Sequence, residues 1–305
     1  MTPATGRPPV VAVVGATAAG KSDLAVELAR RLGGEALNAD SMQLYRGMDI
    51  GTAKLSLAER HGVPHHLLDV WDVTETASVA EYQRMARDVV DGLLSAGTVP
   101  VLVGGSGLYV RAVLDDLQFP GTDPAVRERL EAELELLGPA ALHQRLKELD
   151  PVAAEAVLPG NGRRVVRALE VIELSGRPFS ATMPSYDAVY DNVQIGLLVP
   201  RPLLDERIEL RVHRMWEAGL VEEVRGLAAR GLAGGRTAGR ALGYAQVMRF
   251  LAGEWTEEQA REDTIRATRR FARRQESWFR RDPRVRWLPF DAPDLLERAL
   301  ELVGA

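Results

Sequence analysis

"GATAAGKS", residues 15–22, directly follows the apolar run "PPVVAVV" at residues 8–14. Val10–Val14 has the unbroken apolar character of a strand buried on both faces. Gly15 opens a loop. Ser22–Leu32 then carries Leu24, Ala25, Leu28 and Leu32 at helical spacing before Gly33-Gly34 stops it. Gly15, Gly20, Lys21 and Ser22 fit G-x-x-x-x-G-K-[ST] in the strand–loop–helix setting that gives this motif its meaning. The backbone N–H groups of Gly15, Ala16, Thr17, Ala18, Ala19 and Gly20 are expected to turn inward on phosphate oxygens. The start of the following helix adds its positive dipole end, Lys21 a mobile charge, and the Ser22 hydroxyl a hold on Mg²⁺. A chance glycine turn is the plain alternative, and the flanking elements count against it. Such a loop specifies a di- or triphosphate and leaves the rest of the ligand open.

Working outward, "EALNAD" (35–40) reads as a short strand running into a loop. "SVAEYQRMARDVVDGLLSAG" (78–97) is an amphipathic helix, "VPVLVGG" (99–105) another buried strand, and "SGLYVRAVLDDL" (106–117) a turn and helix. Strands alternating with helices predict an α/β fold, a P-loop NTPase-like parallel sheet. Near Phe119 the strands stop. Residues 120–190 read as a helical insertion domain, leaving 1–119 and 191–305 as the catalytic core, with "QIGLLVP" (194–200) and "RVRWLPF" (284–290) as later strands. No repeat or low-complexity tract interrupts this pattern.

The whole chain narrows the function further. Its 305 residues are 46% hydrophobic, enough for a sizeable core, with no run long enough to span a membrane. The N-terminal "MTPATGRPPVV" lacks a signal-like core, so a soluble, cytoplasmic protein is expected. Absence of cysteine excludes disulfides and thiolate metal sites. The net charge of −5 argues against a nucleic-acid partner, but its distribution does not. Between Arg261 and Arg286 ten arginines face four carboxylates, a candidate polyanion surface in an otherwise acidic protein. Only Lys21, Lys54 and Lys147 among the 38 basic residues are lysine, so arginine clusters are less informative here than usual.

A P-loop enzyme acting on ATP usually has a carboxylate at the end of a neighbouring strand. "VPVLVGG" ends in glycines and Ser106, which leaves Asp40 as the carboxylate at the loop's mouth. The bland reading of Asp40 is a helix cap or turn former.

"GATAAGKS", "ADSMQLYRGMDIGTAK", "GVPHHLLDV", "VLVGGSGLYVRAV", "NGRRVVRALEV", "RALGYAQ" and "TRRFARRQESWFRR" occur in this order between about Val10 and Trp287. As an ordered set they resemble the tRNA dimethylallyltransferases, or tRNA isopentenyltransferases. The resemblance implies that the loop holds dimethylallyl diphosphate, not ATP. The prenyl group would then go to N6 of the adenosine 3′ of the anticodon, position 37, in tRNAs reading codons that begin with U. It implies roles residue by residue: Thr17 and Ser22 as the hydroxyls, Asp40 as general base, Ser106 as a hydroxyl near the reacting centre where threonine is usual, and Arg211 on the diphosphate. "RIELR" leaves Arg207 as the other candidate for that last role. On the tRNA side it implies Asp40, Ser41, Met42, Gln43 and Ser106 around the target base. Arg127, Arg163, Arg164 and Arg167 would grip the anticodon stem-loop. Arg240–Ala245 and Thr268–Gln275, with Arg240, Arg269, Arg270, Arg273 and Arg274, would form further contacts. Mg²⁺ and a monomer acting away from any membrane complete the expectation. Ala19 in place of serine, Leu55 in place of proline and Arg163 in place of glutamine depart from the family pattern and remove no reacting group.

Plainer readings stand beside these. His61, His65 and His66 suggest a metal site by spacing, but Gly62 and Pro64 oppose a helix, so a hydrogen-bonding role is expected. Trp71, Trp278 and Trp287 are expected to pack, not to stack on bases. The arginines after Arg261 fit a solvated face as well as an RNA surface. A small-metabolite kinase, a prenyltransferase of free adenine nucleotide and a non-catalytic RNA-binding protein are the rival functions. The helical insertion and the arginine segment favour a macromolecular acceptor, and the Lys21, Ser22 and Asp40 set favours catalysis.

Overall fold

The computed structural model describes residues 7–182 and 186–305. Residues 1–6, most of the segment read above for a signal core, and residues 183–185 of the insertion lie outside the described residues. The chain divides into two compact units, one built from the chain up to Leu114 together with Ala188–Ala305, the other from Asp115–Asp187. Both joints fall a few residues before the positions suggested by the loss of strand pattern.

The larger unit is a six-stranded sheet in the order β3-β2-β4-β1-β5-β6, with every pairing parallel. Its strands are β1 (Val10–Val14), β2 (Glu35–Asn38), β3 (His65–His66), β4 (Pro100–Gly104), β5 (Asn192–Leu198) and β6 (Val285–Pro289). All five residues of β1 are fully buried, because helices cover both faces of a parallel sheet and leave no polar side to alternate with. α1 (Lys21–Leu32), α2 (Val79–Ser95) and α3 (Gly107–Leu114) connect the early strands. β1 lies between β4 and β5, so the chain crosses over β4 to form β2 and later returns on the other side of β1. The carboxyl end of β1 is therefore a topological switch point, where α/β proteins form their ligand crevices. The two-residue β3 was not legible as a strand. It pairs Ala36 with His65 and Leu37 with His66 at the sheet's edge.

The smaller unit contains α4 (Pro124–Leu149, bent at Gly138 with φ 79°), α5 (Pro151–Ala156) and α6 (Gly162–Ser175). Leu130, Leu142, Leu146, Val165, Val166 and Leu169 form its apolar core. Beside that core the carboxylate of Glu170 is fully buried. It accepts from the guanidinium of Arg127, from Arg167 Nη1 at 2.8 Å, from the Thr122 hydroxyl at 2.5 Å and from the Asp123 N–H at 3.3 Å. Arg167 also donates to the carbonyls of Pro120 and Gly121. Desolvation opposes ionisation of Glu170, and the hydrogen bonds from Arg127, Thr122 and Arg167 outweigh it, holding its pKa down to about 2.

The larger unit is completed by α7 (Arg201–Glu217), α8 (Leu220–Ala229), α9 (Tyr244–Leu251), α10 (Glu257–Phe279) and α11 (Leu295–Val303). No helix among the described residues is long and apolar enough to cross a membrane.

A Glu170→Gln variant keeps the shape but leaves two guanidiniums around a neutral amide. It should lower unfolding free energy by roughly 3 kcal/mol, as loss of one partner of a buried ion pair does. In the parent the contribution is present above the ordinary glutamate pKa and is lost as pH falls toward about 2. Thermal melting of parent and variant between pH 7 and pH 3 reads both effects, with the gap between them narrowing on acidification.

Candidate active site

The sequence from Gly15 to Gly20 leaves the sheet in a conformation that few side chains tolerate, with φ 132° at Gly15, 64° at Ala18 and 98° at Gly20. α1 then starts at Lys21 with no side-chain cap on its first amides, so those donors are left for a ligand. Lys21 Nζ folds back to the carbonyl of Ala16 at 2.7 Å. Three side chains brace the loop from other elements. Arg207 on α7 donates to the Ala18 carbonyl at 2.8 Å while its guanidinium lies 5.2 Å from the Phe290 ring. Arg211, one turn on, points Nη1 to the Thr17 hydroxyl at 3.4 Å. Gln275 on α10 accepts the Thr17 N–H at 2.9 Å.

Asp40 arrives at this loop through β2. Asn38 fixes the chain beyond the strand: its Oδ1 accepts the Asp40 N–H at 2.8 Å, and its Nδ2 donates to the carbonyls of Asp40 and Leu67, each at 3.0 Å. The Asn38 carbonyl takes the buried Tyr82 hydroxyl at 2.9 Å. Asp40 Oδ1 accepts the Met42 N–H at 2.9 Å, which is the turn-forming role expected of the residue type alone. Burial raises the Asp40 pKa, opposed by the amides of Met42 and Gln43 and by the charges of Lys21 and Arg211. Burial likewise lowers Lys21 to about 8, helped by Arg211 and opposed by Asp40, and lowers Arg211, chiefly by desolvation.

Thr17, Asp40 and Arg211 open together onto a cavity of about 330 Å³. Ser41 and Met42 line it beside them, and Val212, Met215, Leu242 and Phe271 give it apolar walls. Arg240, Tyr244 and Arg274 also face it. Arg207 is not among the lining residues, so of the two arginines in "RIELR" it is Arg211 that meets the cavity. Ser106 also stands behind the wall, with its Oγ taking the Ser41 N–H at 3.3 Å and lying 3.4 Å from Ser41 Oγ. Gln43 turns away, donating to the carbonyl of Thr52 at 3.1 Å.

Sequence reasoning missed the residues that hold this wall. Glu223 on α8 accepts the N–H groups of Asp49, Ile50 and Gly51 at 2.8–3.2 Å and the Tyr244 hydroxyl at 2.5 Å. Lys54, only 4% exposed, ties Asp49, Asp69 and the carbonyl of Tyr45 together at 2.6–3.1 Å. Its rarity as a lysine is the one signal the sequence offers for it.

The predicted tRNA-contact arginines fall into two groups. Arg240, Arg270, Arg273 and Arg274 on the larger unit, and Arg163 and Arg164 on the smaller, are exposed with no ion pair among the described residues. The others are already engaged: Arg127 and Arg167 by Glu170, and Arg269 by Glu209 at 2.6 Å and the Asp205 carbonyl. Two of the three histidines, His65 and His66, are also committed. His65 Nδ1 lies 2.9 Å from the Val63 carbonyl and His66 Nε2 2.5 Å from Glu35. Trp71 is buried against Tyr45, and Trp278 packs on Gly107, where a Cβ would overlap the indole.

The family described as IPP transferase matches residues 43–282. The tRNA dimethylallyltransferase of Thermobifida fusca is 71% identical over 299 residues, covering 96% of this chain and 94% of the relative. That of Streptomyces coelicolor is 68% identical over 99% of this chain and 98% of its own length. Among solved structures, the tRNA isopentenylpyrophosphate transferase of Bacillus halodurans shares 41% identity. It superposes with a TM-score of 0.72 over 98% of this chain and 95% of that one. A eukaryotic dimethylallyltransferase acting on tRNA shares 25% identity at a TM-score of 0.80, over 92% of this chain and 73% of that one.

Lys21→Ala should lower affinity for inorganic pyrophosphate roughly ten- to hundredfold, the worth of a charged hydrogen bond of about 1.5–3 kcal/mol. Lys21 is charged below about pH 8, so parental affinity should fall as pH rises through that value, and Lys21→Arg should lack the fall. Calorimetric titration from pH 6.5 to 9.5 measures both.

Proposed function

The chain belongs to the IPP transferase family of tRNA-prenylating enzymes, and on that premise we propose that it transfers the dimethylallyl group of dimethylallyl diphosphate to N6 of adenosine 37, 3′ of the anticodon, in tRNAs reading codons that begin with U. One observation carries the reading. A half-buried carboxylate, an arginine and the phosphate loop's Thr17 share a single cavity with apolar walls. An allylic diphosphate has an anionic head and a five-carbon apolar tail, and this cavity matches both. Phosphoryl transfer to a metabolite and prenylation of a free nucleotide have no support from the relatives, which are named for tRNA.

The amides at the start of α1, Lys21 and Arg211 bind the diphosphate, and Val212, Met215, Leu242 and Phe271 receive the prenyl tail. N6 of the extruded adenine attacks the allylic carbon. The carbon–oxygen bond breaks, the electron pair leaves with diphosphate, and the N6 proton passes to Asp40. Burial favours that step, because it raises the proton affinity of Asp40 above that of an ordinary carboxylate. The cationic cradle is in place before charge develops on the leaving group, which is electrostatic preorganisation. The Ser22 hydroxyl at the start of α1, together with oxygens of the diphosphate, would hold Mg²⁺. When bound, the ion neutralises charge on the diphosphate. The working form in this reading is a cytoplasmic monomer.

The acceptor has to be unstacked to reach Asp40, so its stem must be held meanwhile. Arg163 and Arg164 on α6, Arg240 before α9, and Arg270, Arg273 and Arg274 on α10 are free among the described residues for that purpose. Arg127 and Arg167 serve chiefly to fold the smaller unit. Incubation of labelled dimethylallyl diphosphate with total tRNA or AMP, with and without Mg²⁺, tests the function directly. Label in tRNA alone is expected, and label in AMP overturns the assignment.

Replacing Arg163 and Arg164 together by glutamate should weaken anticodon stem-loop binding while pyrophosphate binding persists. The log–log salt slope should fall by roughly 0.7–0.9 for each phosphate no longer neutralised, as read in titrations across salt concentrations. Asp40→Asn retains an acceptor for the Met42 N–H and loses the base, so folding and donor binding should survive. Single-turnover transfer should slow roughly 10²–10⁴-fold. Transfer at the parental rate would show that Asp40 is a turn former only.

A further inference from the structure

Gln275 sits in the most arginine-rich stretch of the chain and does not share its exposure. Arg273 and Arg274 precede it on α10 and face solvent, whereas Gln275 is 5% exposed. Both of its amide atoms are used. Oε1 accepts the N–H of Thr17 at 2.9 Å, and Nε2 donates to the carbonyl of Gly105 at 2.9 Å. A backbone N–H only donates and a carbonyl only accepts, so the two partners require one acceptor and one donor on the same side chain. An ionised carboxylate supplies only the acceptor, and a thioether only a weak one. The approach is close on both sides, for a Cβ on Gly105 would overlap the Gln275 amide.

The residue it holds is not a bystander. Thr17 lines the cavity, its hydroxyl receives Arg211, and Ala18 after it takes a strained positive φ of 64°. A loop that adopts such a backbone keeps its shape only where neighbours over-determine it. We propose that Gln275 is a positioning residue that fastens the phosphate loop to the arginine-bearing helix, and not a contact to tRNA. This rests on reading residues 15–22 as the diphosphate cradle. The hydrogen bond from Thr17 shapes the cradle before the ligand arrives, so its loss falls on diphosphate affinity. The arginines on the outer face of α10 are untouched by it.

The test uses the full chain with Gln275→Met and Gln275→Glu, and two probes: inorganic pyrophosphate with Mg²⁺, and an anticodon stem-loop. Q275M should weaken pyrophosphate binding roughly three- to tenfold, the worth of an ordinary hydrogen bond. Stem-loop affinity and its salt slope should stay at parental values, and in turnover KM for the donor should rise more than kcat falls. Q275E keeps the bond from Thr17 but brings a negative charge to the anion cradle. It should weaken pyrophosphate binding more than Q275M does, by roughly tenfold or more at low salt, whatever the order of the two melting temperatures. A side chain that served stability alone would not separate the two variants by charge. Reduced stem-loop affinity with unchanged pyrophosphate affinity would overturn the inference and make Gln275 a tRNA contact. Weakened pyrophosphate binding in Lys21→Ala but not in either Gln275 variant would overturn it while leaving the cradle reading intact. Failure of the parent to bind pyrophosphate at all would remove both.

Discussion

The close approach of β4 to the end of β2 decides where the chemistry can be. The Ala39 N–H donates to the Val103 carbonyl at 2.8 Å, and a Cβ on Gly104 would overlap the Ala39 backbone. The next glycine, Gly105, lies against the Gln275 amide and the Gly15 carbonyl with no more room. Two glycines thus let the carboxyl ends of β1, β2 and β4 converge, and a side chain at either would push Asp40 away from the phosphate loop. The strand that usually carries the acid is the spacer here, and the acid comes from its neighbour.

Convergence sets the electrostatics. Burial and the charge of Arg211 lower the proton affinity of Lys21, burial and the charge of Arg207 lower that of Arg211, and Asp40 is raised by burial and stabilised by Lys21 and Arg211. Lys21, Arg211 and Asp40 together carry a net positive charge in a desolvated place, with Arg207 adding to it from behind the loop. Such a cluster is unfavourable on its own, because buried cations lack water and outnumber their counter-ion. In the proposed function a diphosphate would supply the missing negative charge, and the cost of assembling the cations would become discrimination for a doubly phosphorylated ligand.

The sequence made the central sheet and loop legible because both depend on local pattern. Val10–Val14 announces burial on two faces, and Gly15, Gly20, Lys21 and Ser22 need only their own spacing to be read. β3 failed that standard: two histidines pair with β2 through backbone, and their rings meet the Val63 carbonyl and Glu35 at the sheet edge, none of which a two-residue pattern announces. Glu223 and Gln275 were also out of reach, one belonging to no motif and the other standing among residues expected to touch RNA. Each acts across more than 160 positions on backbone amides, and no periodicity marks a side chain whose partner is distant backbone. Lys54 is an intermediate case: its scarcity singled it out, but its two carboxylates could not be named.

Arginine abundance blurred a distinction that the structure draws. A guanidinium can bind RNA phosphate only where its donors are not already saturated, and Glu170 shows how saturation looks. It takes hydrogen bonds from two arginines of the smaller unit, one of which also fills two backbone carbonyls. Glu209 and the Asp205 carbonyl do the same to Arg269 on α10. A phosphate competing for these arginines would strand a carboxylate, fully buried in the case of Glu170, a penalty larger than one solvent-exposed phosphate contact returns. Arg163, Arg164, Arg270, Arg273 and Arg274 are under no such constraint. On the proposed function, an acidic chain can therefore present a basic surface to RNA without a basic composition, through exposed arginines that have no carboxylate of their own.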